Sequence, residues 1–178
     1  MTEAKTTVDI EALRALVRDV PDFPQPGILF RDITPLLADA AAFRAAVDAM
    51  AEPFVGVSTV VAIESRGFIL GAPVAYKLGA GLVPVRKVGR LPAATIREEY
   101  ELEYGVNTVE MHSDAVQPGE RVLIVDDLLA TGGTVGAAIK LVERLGAEVV
   151  GVSVLAELSF LKGRERLKGY QVSSLIVY

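Results

Sequence analysis

Apolar runs alternate with segments of helical periodicity along most of this chain. Buried strands are predicted by four apolar, β-branched runs, "STVVAI", "LVPVR", "RVLIV" and "AEVVGVSVLAEL". Helices are predicted by "ESRGFILGAPVAYKLGAG", ending at Gly79, and by "TVGAAIKLVERLG", ending at Gly146. Strands that alternate with helices indicate an α/β fold with a mostly parallel, doubly wound sheet flanked by helices. Such a sheet binds its ligands beyond the carboxyl ends of its strands.

The amino-terminal part carries two further helical patterns. Apolar side chains recur at helical spacing between Val8 and Val17, and "PDFPQPG" then ends the pattern in a rigid loop. The alanine-rich segment from Asp39 to Met50 has high helix propensity and predicts a second helix.

Residues 87–112 interrupt the alternation of strands and helices. The segment is charged, contains Gly, Pro and Asn turn residues, and has period-2 stretches at both ends. This pattern predicts a protruding hairpin, or flap, that is not buried.

Length and composition fit one domain spanning residues 1–178. Hydrophobic residues make up 51% of the chain and charged residues 23%, which is typical of a globular domain. No apolar run approaches the roughly 18 residues that a membrane-spanning helix needs. The charged amino terminus also lacks the apolar centre of a secretory signal. We therefore expect a cytoplasmic protein that does not bind a membrane.

Net charge and residue composition exclude several kinds of binding surface and metal site. A net charge of −5 argues against a general nucleic-acid surface. Lys162, Arg164, Arg166 and Lys168 form a basic group, but they alternate with small and apolar residues and predict a solvated face. The chain has no cysteine, which excludes disulfides and Cys-based zinc sites. The single histidine, His112, excludes a multi-His metal site and is expected to be structural.

The stretch "RVLIVDDLLATGGTVGAA", residues 121–138, combines two carboxylates with a glycine turn. Asp126 and Asp127 follow an apolar strand and so fall where an α/β sheet binds its ligand. In "ATGGT", glycines let backbone N–H groups point inward at the start of a helix, and Thr131 and Thr134 add hydroxyl donors. Walker-type and Rossmann glycine loops do not occur. Since carboxylates accept hydrogen bonds from vicinal hydroxyls, a ribose 5-phosphate fits both parts.

The stretch "VLIVDDLLATGGT" resembles the phosphoribosyl-pyrophosphate (PRPP) motif of the type I phosphoribosyltransferases. Three further stretches, "FPQPGILFRDITPLL", "ESRGFILGAPVA" and "RKVGRLPAATIREEYELEYG", are similar to the members of that family that use adenine. The resemblance implies a type I phosphoribosyltransferase fold with a flexible flap at about residues 87–112 and a small amino-terminal hood. It also implies purine salvage, in which the 5-phosphoribosyl group passes from PRPP to adenine and gives AMP and pyrophosphate.

The resemblance further implies the roles of individual residues. PRPP and AMP binding is implied for Arg66, Lys87, Arg90, Asp126, Asp127, Ala130, Thr131, Gly132, Gly133 and Thr134. Adenine binding is implied for Leu29, Phe30, Arg31 and Leu128. Catalytic roles are implied for Arg66, for Glu103 as the acid/base near the purine, and for Tyr104, which closes over the sugar.

Mg²⁺, a second subunit and an unusual peptide bond are implied in the same way. Mg²⁺ would be held mainly through PRPP, pyrophosphate and water, so no protein metal ligand is assigned. The family is usually dimeric, which implies a homodimer. Glu64 and Ser65 correspond to a loop that often holds a non-proline cis peptide.

Alternatives stay open for some residues and for the function. Leu29 and Phe30 fit core packing as well, and Lys87 and Arg90 fit surface solubility. A transcriptional regulator that keeps the PRPP loop is a second function, although such proteins usually add a DNA-binding domain and a basic surface. Transfer to xanthine, hypoxanthine or orotate is a third.

Overall fold

The computed structural model describes residues 8–101 and 106–178. Its helices are α1 (Ile10–Ala15), α2 (Thr34–Ala38), α3 (Ala40–Ala51), α4 (Arg66–Leu78) and α5 (Gly133–Arg144). Its strands are β1 (Arg18–Pro21), β2 (Leu29–Asp32), β3 (Thr59–Ile63), β4 (Gly81–Lys87), β5 (Thr95–Glu101), β6 (Val106–His112), β7 (Arg121–Leu129), β8 (Glu148–Glu157) and β9 (Val172–Val177). Short 3₁₀ turns cover Ser159–Leu161 and Gly163–Leu167. Within these ranges, no helix has the length and apolar character that crossing a bilayer requires.

A seven-stranded sheet in the order β5-β6-β4-β3-β7-β8-β9 forms the centre of the fold. The neighbouring pairs β4–β3, β3–β7, β7–β8 and β8–β9 are parallel. The β5 and β6 strands are antiparallel to each other, and β6 is antiparallel to β4. These pairings confirm the predicted α/β fold with a mostly parallel sheet. The strand predicted from "RVLIV" is longer than its apolar run, because β7 continues through Asp126 and Asp127 to Leu129.

Apolar side chains alternate between two cores, one on each face of the sheet. In β3, Val60 belongs to the core that contains α3 and α4, whereas Val61 belongs to the core that contains α5. Leu123 and Ile124 of β7 alternate in the same way. Successive side chains of a strand point to opposite faces, so a strand covered by helices on both sides is apolar throughout. The two cores confirm the doubly wound arrangement.

The predicted flap is a hairpin whose base belongs to the sheet. The β5 and β6 strands pair along their length, from Thr95 opposite His112 to Glu101 opposite Val106. The expectation that this segment is not buried is wrong for Val109, Glu110 and Met111, which are buried. The physical reason is that β6 also pairs with β4, so its carboxyl half becomes an inner strand of the sheet.

The amino-terminal segment forms the predicted hood. The β1 and β2 strands make a separate two-stranded antiparallel sheet. Both amino-terminal helices are confirmed, although α1 is shorter than its apolar pattern. Each begins after an aspartate cap: Asp9 accepts from the N–H of Ala12, and Asp39 accepts from the N–H groups of Ala41 and Ala42.

The carboxyl-terminal part contains elements that the sequence pattern did not predict. The β9 strand adds to β8 in parallel at the edge of the sheet. Lys162, Arg164, Arg166 and Lys168 are exposed, which confirms the predicted solvated face, but Arg164 also makes a specific contact. Its guanidinium forms an ion pair with the buried carboxylate of Glu157, which also accepts a hydrogen bond from Ser174.

Candidate active site

Six of the residues implied by the sequence lie around one cavity at the carboxyl edge of the sheet. The β4, β3 and β7 strands are parallel neighbours, so the residues at their carboxyl ends converge. Arg66 begins α4 after β3, Lys87 ends β4, and Asp126 and Asp127 lie near the end of β7. The cavity measures ≈ 300 Å³, and its lining also includes Ser65, Tyr100, Leu128 and Thr134.

The two aspartates form a buried acidic pair, with 9% of Asp126 and 6% of Asp127 exposed. Arg66 Nη2 lies 2.9 Å from Asp127 Oδ2. The backbone N–H of Asp127 donates to Asp126 Oδ1 at 2.8 Å. The guanidinium and backbone donors, which include the N–H of Leu128, partly offset the burial of the two carboxylates.

Burial changes the protonation of this pair. It raises the pKa of Asp126 well above its ordinary value, and the charge of Asp127 raises that pKa further. Burial also raises the pKa of Asp127, but the Arg66 guanidinium opposes the effect. The two carboxyl groups titrate as a coupled pair, and the Arg66 guanidinium favours ionisation of Asp127. Two adjacent carboxyl groups suit a ligand with vicinal hydroxyls, since both side chains carry oxygen acceptors.

The segment Ala130–Thr134 comprises the turn between β7 and α5 and the first two residues of α5, and so lies at the start of a helix as predicted. It surrounds a smaller cavity of ≈ 70 Å³, which Asp126 and Leu128 also line. Gly132 has φ = 80°, a left-handed conformation that favours glycine, and α5 begins at the next residue. The first N–H groups of a helix have no acceptor within it, so this end of α5 offers donors and a positive dipole end to an anion.

A segment that the sequence did not implicate supports this turn. Gly163 packs with its backbone against the turn, and a Cβ atom at Gly163 would lie 2.1 Å from the carbonyl oxygen of Ala130. A Cβ atom at Gly132 would lie 2.5 Å from the carbonyl oxygen of Gly163. Both positions therefore exclude a side chain. A close approach between residues this far apart in the chain leaves no local pattern in the sequence.

The predicted adenine loop lies on β2, and Arg66 connects it to the acidic pair. Leu29 is 46% exposed, which argues against core packing for this residue. The Arg66 guanidinium carbon lies 4.8 Å from the centre of the Phe30 ring. The Arg31 side chain turns elsewhere: it forms an ion pair with Asp19, and its guanidinium carbon lies 3.8 Å from the centre of the Tyr178 ring.

Lys87 and Arg90 occupy different positions relative to the cavity. Lys87 lines it, whereas Arg90 lies in the loop after β4 and does not. The N–H of Lys87 donates to Glu64 Oε2 at 3.0 Å, and that carboxylate also pairs with Arg86. The peptide bond between Glu64 and Ser65 is cis.

The sequence also pointed to Glu103, Tyr104 and His112. Glu103 and Tyr104 lie outside the described residues. His112 does not line the cavity of the acidic pair, and among the described residues its buried Nε2 atom has no hydrogen-bond partner. Among those residues, no cluster of three or more His, Cys, Asp or Glu side chains is placed to hold a metal ion. Tyr100, which no motif in the sequence indicated, also lines the cavity.

Comparison with known proteins gives close matches. Residues 37–175 match the family model described as a phosphoribosyl transferase domain. The chain is 57% identical over 176 residues to adenine phosphoribosyltransferase of Thermobifida fusca, an alignment that covers 98% of this chain and 97% of that protein. The fold is similar to the crystal structure of adenine phosphoribosyltransferase from Rhodothermus marinus, with a TM-score of 0.92 and 53% identity over 95% of this chain and 98% of that one. It is also similar to the Saccharomyces cerevisiae adenine phosphoribosyltransferase complexed with an imino-altritol bisphosphate and adenine, with a TM-score of 0.88 and 40% identity over 93% and 97% of the two chains.

Replacing Asp126 with Asn should stabilise the ligand-free protein at neutral pH. The pKa of Asp126 is higher in the folded state, so the wild type loses stability as pH rises above the unfolded value of about 3.9. Asn has the same shape without the buried charge. In urea unfolding we expect the free energy of unfolding of Asp126→Asn to exceed that of the wild type at pH 7, and the difference to shrink toward pH 4.

The exposed Asp114 supplies the control for this experiment. Its replacement by Asn should change the free energy of unfolding by less than about 0.5 kcal/mol, because the side chain is exposed. A variant Asp126→Asn that is less stable than the wild type at pH 7 would contradict the raised pKa.

Replacing Gly163 with Ala should destabilise the fold by about 1–3 kcal/mol, because the added methyl group overlaps the backbone of Ala130. Gly136 in α5 is the matched control, since a Cβ atom there has no neighbour within 4 Å. Gly136→Ala should stabilise by about 0.5–1 kcal/mol through helix propensity. Urea unfolding of both variants measures the contrast, and equal effects would show that the packing at Gly163 is loose.

Proposed function

The chain belongs to the adenine phosphoribosyltransferases of the phosphoribosyltransferase family, and from this premise we propose how its site performs the reaction. The 5-phosphoribosyl group passes from PRPP to adenine, giving AMP and pyrophosphate in purine salvage. The observation that most supports this assignment is the buried pair of Asp126 and Asp127 beside the turn Ala130–Thr134, with Arg66 and Lys87 around the same cavity.

The sugar phosphate occupies the two adjoining cavities. Asp126 and Asp127 accept hydrogen bonds from the ribose hydroxyls, and the turn with Thr131 and Thr134 binds the 5-phosphate. This assignment is supported by the residues that line both cavities, Asp126, Leu128 and Thr134, because a ribose 5-phosphate spans both subsites. Hydrogen bonds from hydroxyls favour the ionised carboxylates, so binding opposes the effect of burial on the pair.

The leaving pyrophosphate is stabilised by Arg66, Lys87 and Arg90. Breaking the bond between C1 of the ribose and the pyrophosphate oxygen puts negative charge on the leaving group, and fixed cations lower the energy of that transition state. Arg66 and Lys87 line the cavity that holds the acidic pair, which supports their role. Because Arg66 also pairs with Asp127, it fixes the distance between the sugar and the leaving group.

Adenine binds between β2 and the end of β7. Leu29, Phe30 and Leu128 cover the ring, which is supported by the exposure of Leu29 and by the contact of Phe30 with Arg66. Arg31 contributes its backbone, since its side chain is engaged with Asp19 and Tyr178. Backbone groups distinguish the amino group of adenine from the oxo group of hypoxanthine, because a mismatch leaves a buried polar group unpaired.

The tip of the flap completes the site during catalysis. Glu103 is the acid/base near the purine imidazole ring, and Tyr104 covers the reacting sugar. Both lie outside the described residues, so their roles are supported by the resemblance and by the neighbouring Tyr100, which lines the cavity. Closure of the flap excludes water, which would otherwise hydrolyse the activated sugar.

Mg²⁺ binds together with PRPP. It prefers oxygen ligands and retains part of its hydration shell. The carboxylate of Asp127 is already engaged by Arg66, so PRPP oxygens and water would hold the ion. When bound, the ion would supply positive charge beside the pyrophosphate.

A homodimer is the proposed assembly, in the cytoplasm. Ile69 and Tyr76 lie seven residues apart on α4 and are 46% and 91% exposed, and Leu82 on β4 is 47% exposed. Residues seven apart share one face of a helix, so this face offers apolar surface for a second copy to cover. The chain without cysteine suits a reducing compartment.

A panel of bases tests the proposed function. The purified protein is given PRPP and Mg²⁺ with adenine, hypoxanthine, xanthine or orotate, and nucleotide and pyrophosphate formation are followed. We expect the largest kcat/KM with adenine. A larger value with another base would reassign the substrate, and no AMP from adenine would defeat the proposal. The Asp126→Asn variant is the control, because it should lose activity with every base if the activity belongs to this site.

A further inference from the structure

Glu110 is a buried carboxylate that the proposed chemistry does not use. It lies on β6 and is 1% exposed. Its Oε1 atom accepts hydrogen bonds from three successive backbone N–H groups, those of Gly89 at 2.8 Å, Arg90 at 3.1 Å and Leu91 at 3.2 Å. On the opposite oxygen, Thr95 Oγ1 donates at 3.2 Å and Arg97 Nε at 3.3 Å. A single side chain thus joins the loop after β4 to the first strand of the flap.

Glu64 and Glu110 together hold the backbone of this loop. Glu64 accepts from the N–H of Lys87, and Glu110 accepts from the N–H groups of Gly89, Arg90 and Leu91. Gly89 has φ = 80°, so the loop makes a tight turn above the Glu110 carboxylate. The two basic residues assigned to pyrophosphate therefore lie on a backbone whose conformation is fixed from within the protein.

We infer that Glu110 is a positioning residue for pyrophosphate, because it holds the loop that carries Lys87 and Arg90 in its binding conformation. This role depends on Lys87 and Arg90 binding pyrophosphate, as proposed above. Glu110 is buried beneath the loop and acts through the backbone of the loop. Its carboxylate therefore contacts no reacting atom.

The charge of Glu110 distinguishes positioning from direct electrostatics. Burial alone would raise the pKa of Glu110, but hydrogen bonds from Leu91, Arg90, Thr95 and Gly89 outweigh burial and hold its pKa below the ordinary value. Glu110 is therefore a carboxylate at neutral pH. A negative charge close to the pyrophosphate site repels that ligand, so electrostatics alone predicts tighter binding when the charge is removed. Positioning predicts the opposite.

The Glu110→Gln variant tests this inference. An amide oxygen is a weaker acceptor than a carboxylate, and its NH₂ group opposes the N–H of Arg97, so the loop loses its anchor. Displacement by about 1 Å can cost up to about 100-fold in function. We expect roughly a tenfold loss in pyrophosphate affinity by calorimetry and a similar rise in KM for PRPP, with KM for adenine unchanged. An unchanged or increased affinity for pyrophosphate in the folded variant would overturn the inference.

Glu120→Gln is the matched control. Glu120 also accepts a backbone N–H, that of Gln117 at 2.8 Å, together with the hydroxyl of Thr59. It lies just before β7, at the end of the strand away from the acidic pair. The control should lose stability without changing pyrophosphate affinity, whereas an equal loss of affinity in both variants would reduce Glu110 to a general stabilising role and overturn the inference.

Two further variants keep the test decisive. Thr95→Val removes one donor to Glu110 with little change in shape, and it replaces Glu110→Gln if the latter does not fold. It should weaken pyrophosphate binding in the same direction by a smaller factor, and unchanged affinity would then overturn the inference.

Arg90→Ala tests the premise that Arg90 binds pyrophosphate. If Arg90→Ala binds pyrophosphate like the wild type, the proposed pyrophosphate site is wrong. If Arg90→Ala binds pyrophosphate more weakly but Glu110→Gln does not, the site stands and only the positioning role of Glu110 is rejected.

Discussion

The burial of two adjacent carboxylates against one guanidinium is the constraint on which the rest of the site depends. Asp126 and Asp127 continue a strand whose preceding residues are covered on both faces, so few water molecules can hydrate them. Arg66 reaches Asp127 because β3 lies beside β7 and α4 begins where β3 ends. The same guanidinium contacts Phe30 on β2. One guanidinium therefore connects the proposed sugar, leaving-group and base subsites.

The site uses its buried carboxylates in two opposite ways. The acidic pair is incompletely compensated without ligand, and burial raises both pKa values. A ligand with hydroxyl donors would relieve that cost, and in the proposed function this relief favours binding of the ribose. Glu64 and Glu110 have lowered pKa values, because hydrogen bonds to them outweigh burial. These two residues hold the backbone near Lys87 and Arg90, and their charges do not need a ligand.

The sequence predicted the parts of this structure that have a local cause. Continuous apolar runs predicted the inner strands, and the "DDLLATGGT" pattern predicted the acidic pair and the turn, because strand burial and glycine conformation act within a few residues. The position of Glu110 was missed, since a charged hairpin reads as exposed until the pairing of β6 with β4 is known. The contact of Gly163 with Ala130 left no local pattern. The side-chain contacts of Arg31 could not be predicted either, because they depend on Tyr178 near the other end of the chain.

Recognition of the ribose diol by Asp126 and Asp127 is the central claim, and comparing AMP with its 2′-deoxy and 3′-deoxy analogues tests it most directly. Calorimetric titration of the wild type at neutral pH gives the three affinities. Hydrogen bonds to charged groups contribute about 1.5–3 kcal/mol each. Loss of either hydroxyl should therefore weaken binding by about tenfold or more. Equal affinities for all three nucleotides would contradict the assignment of the acidic pair to the ribose.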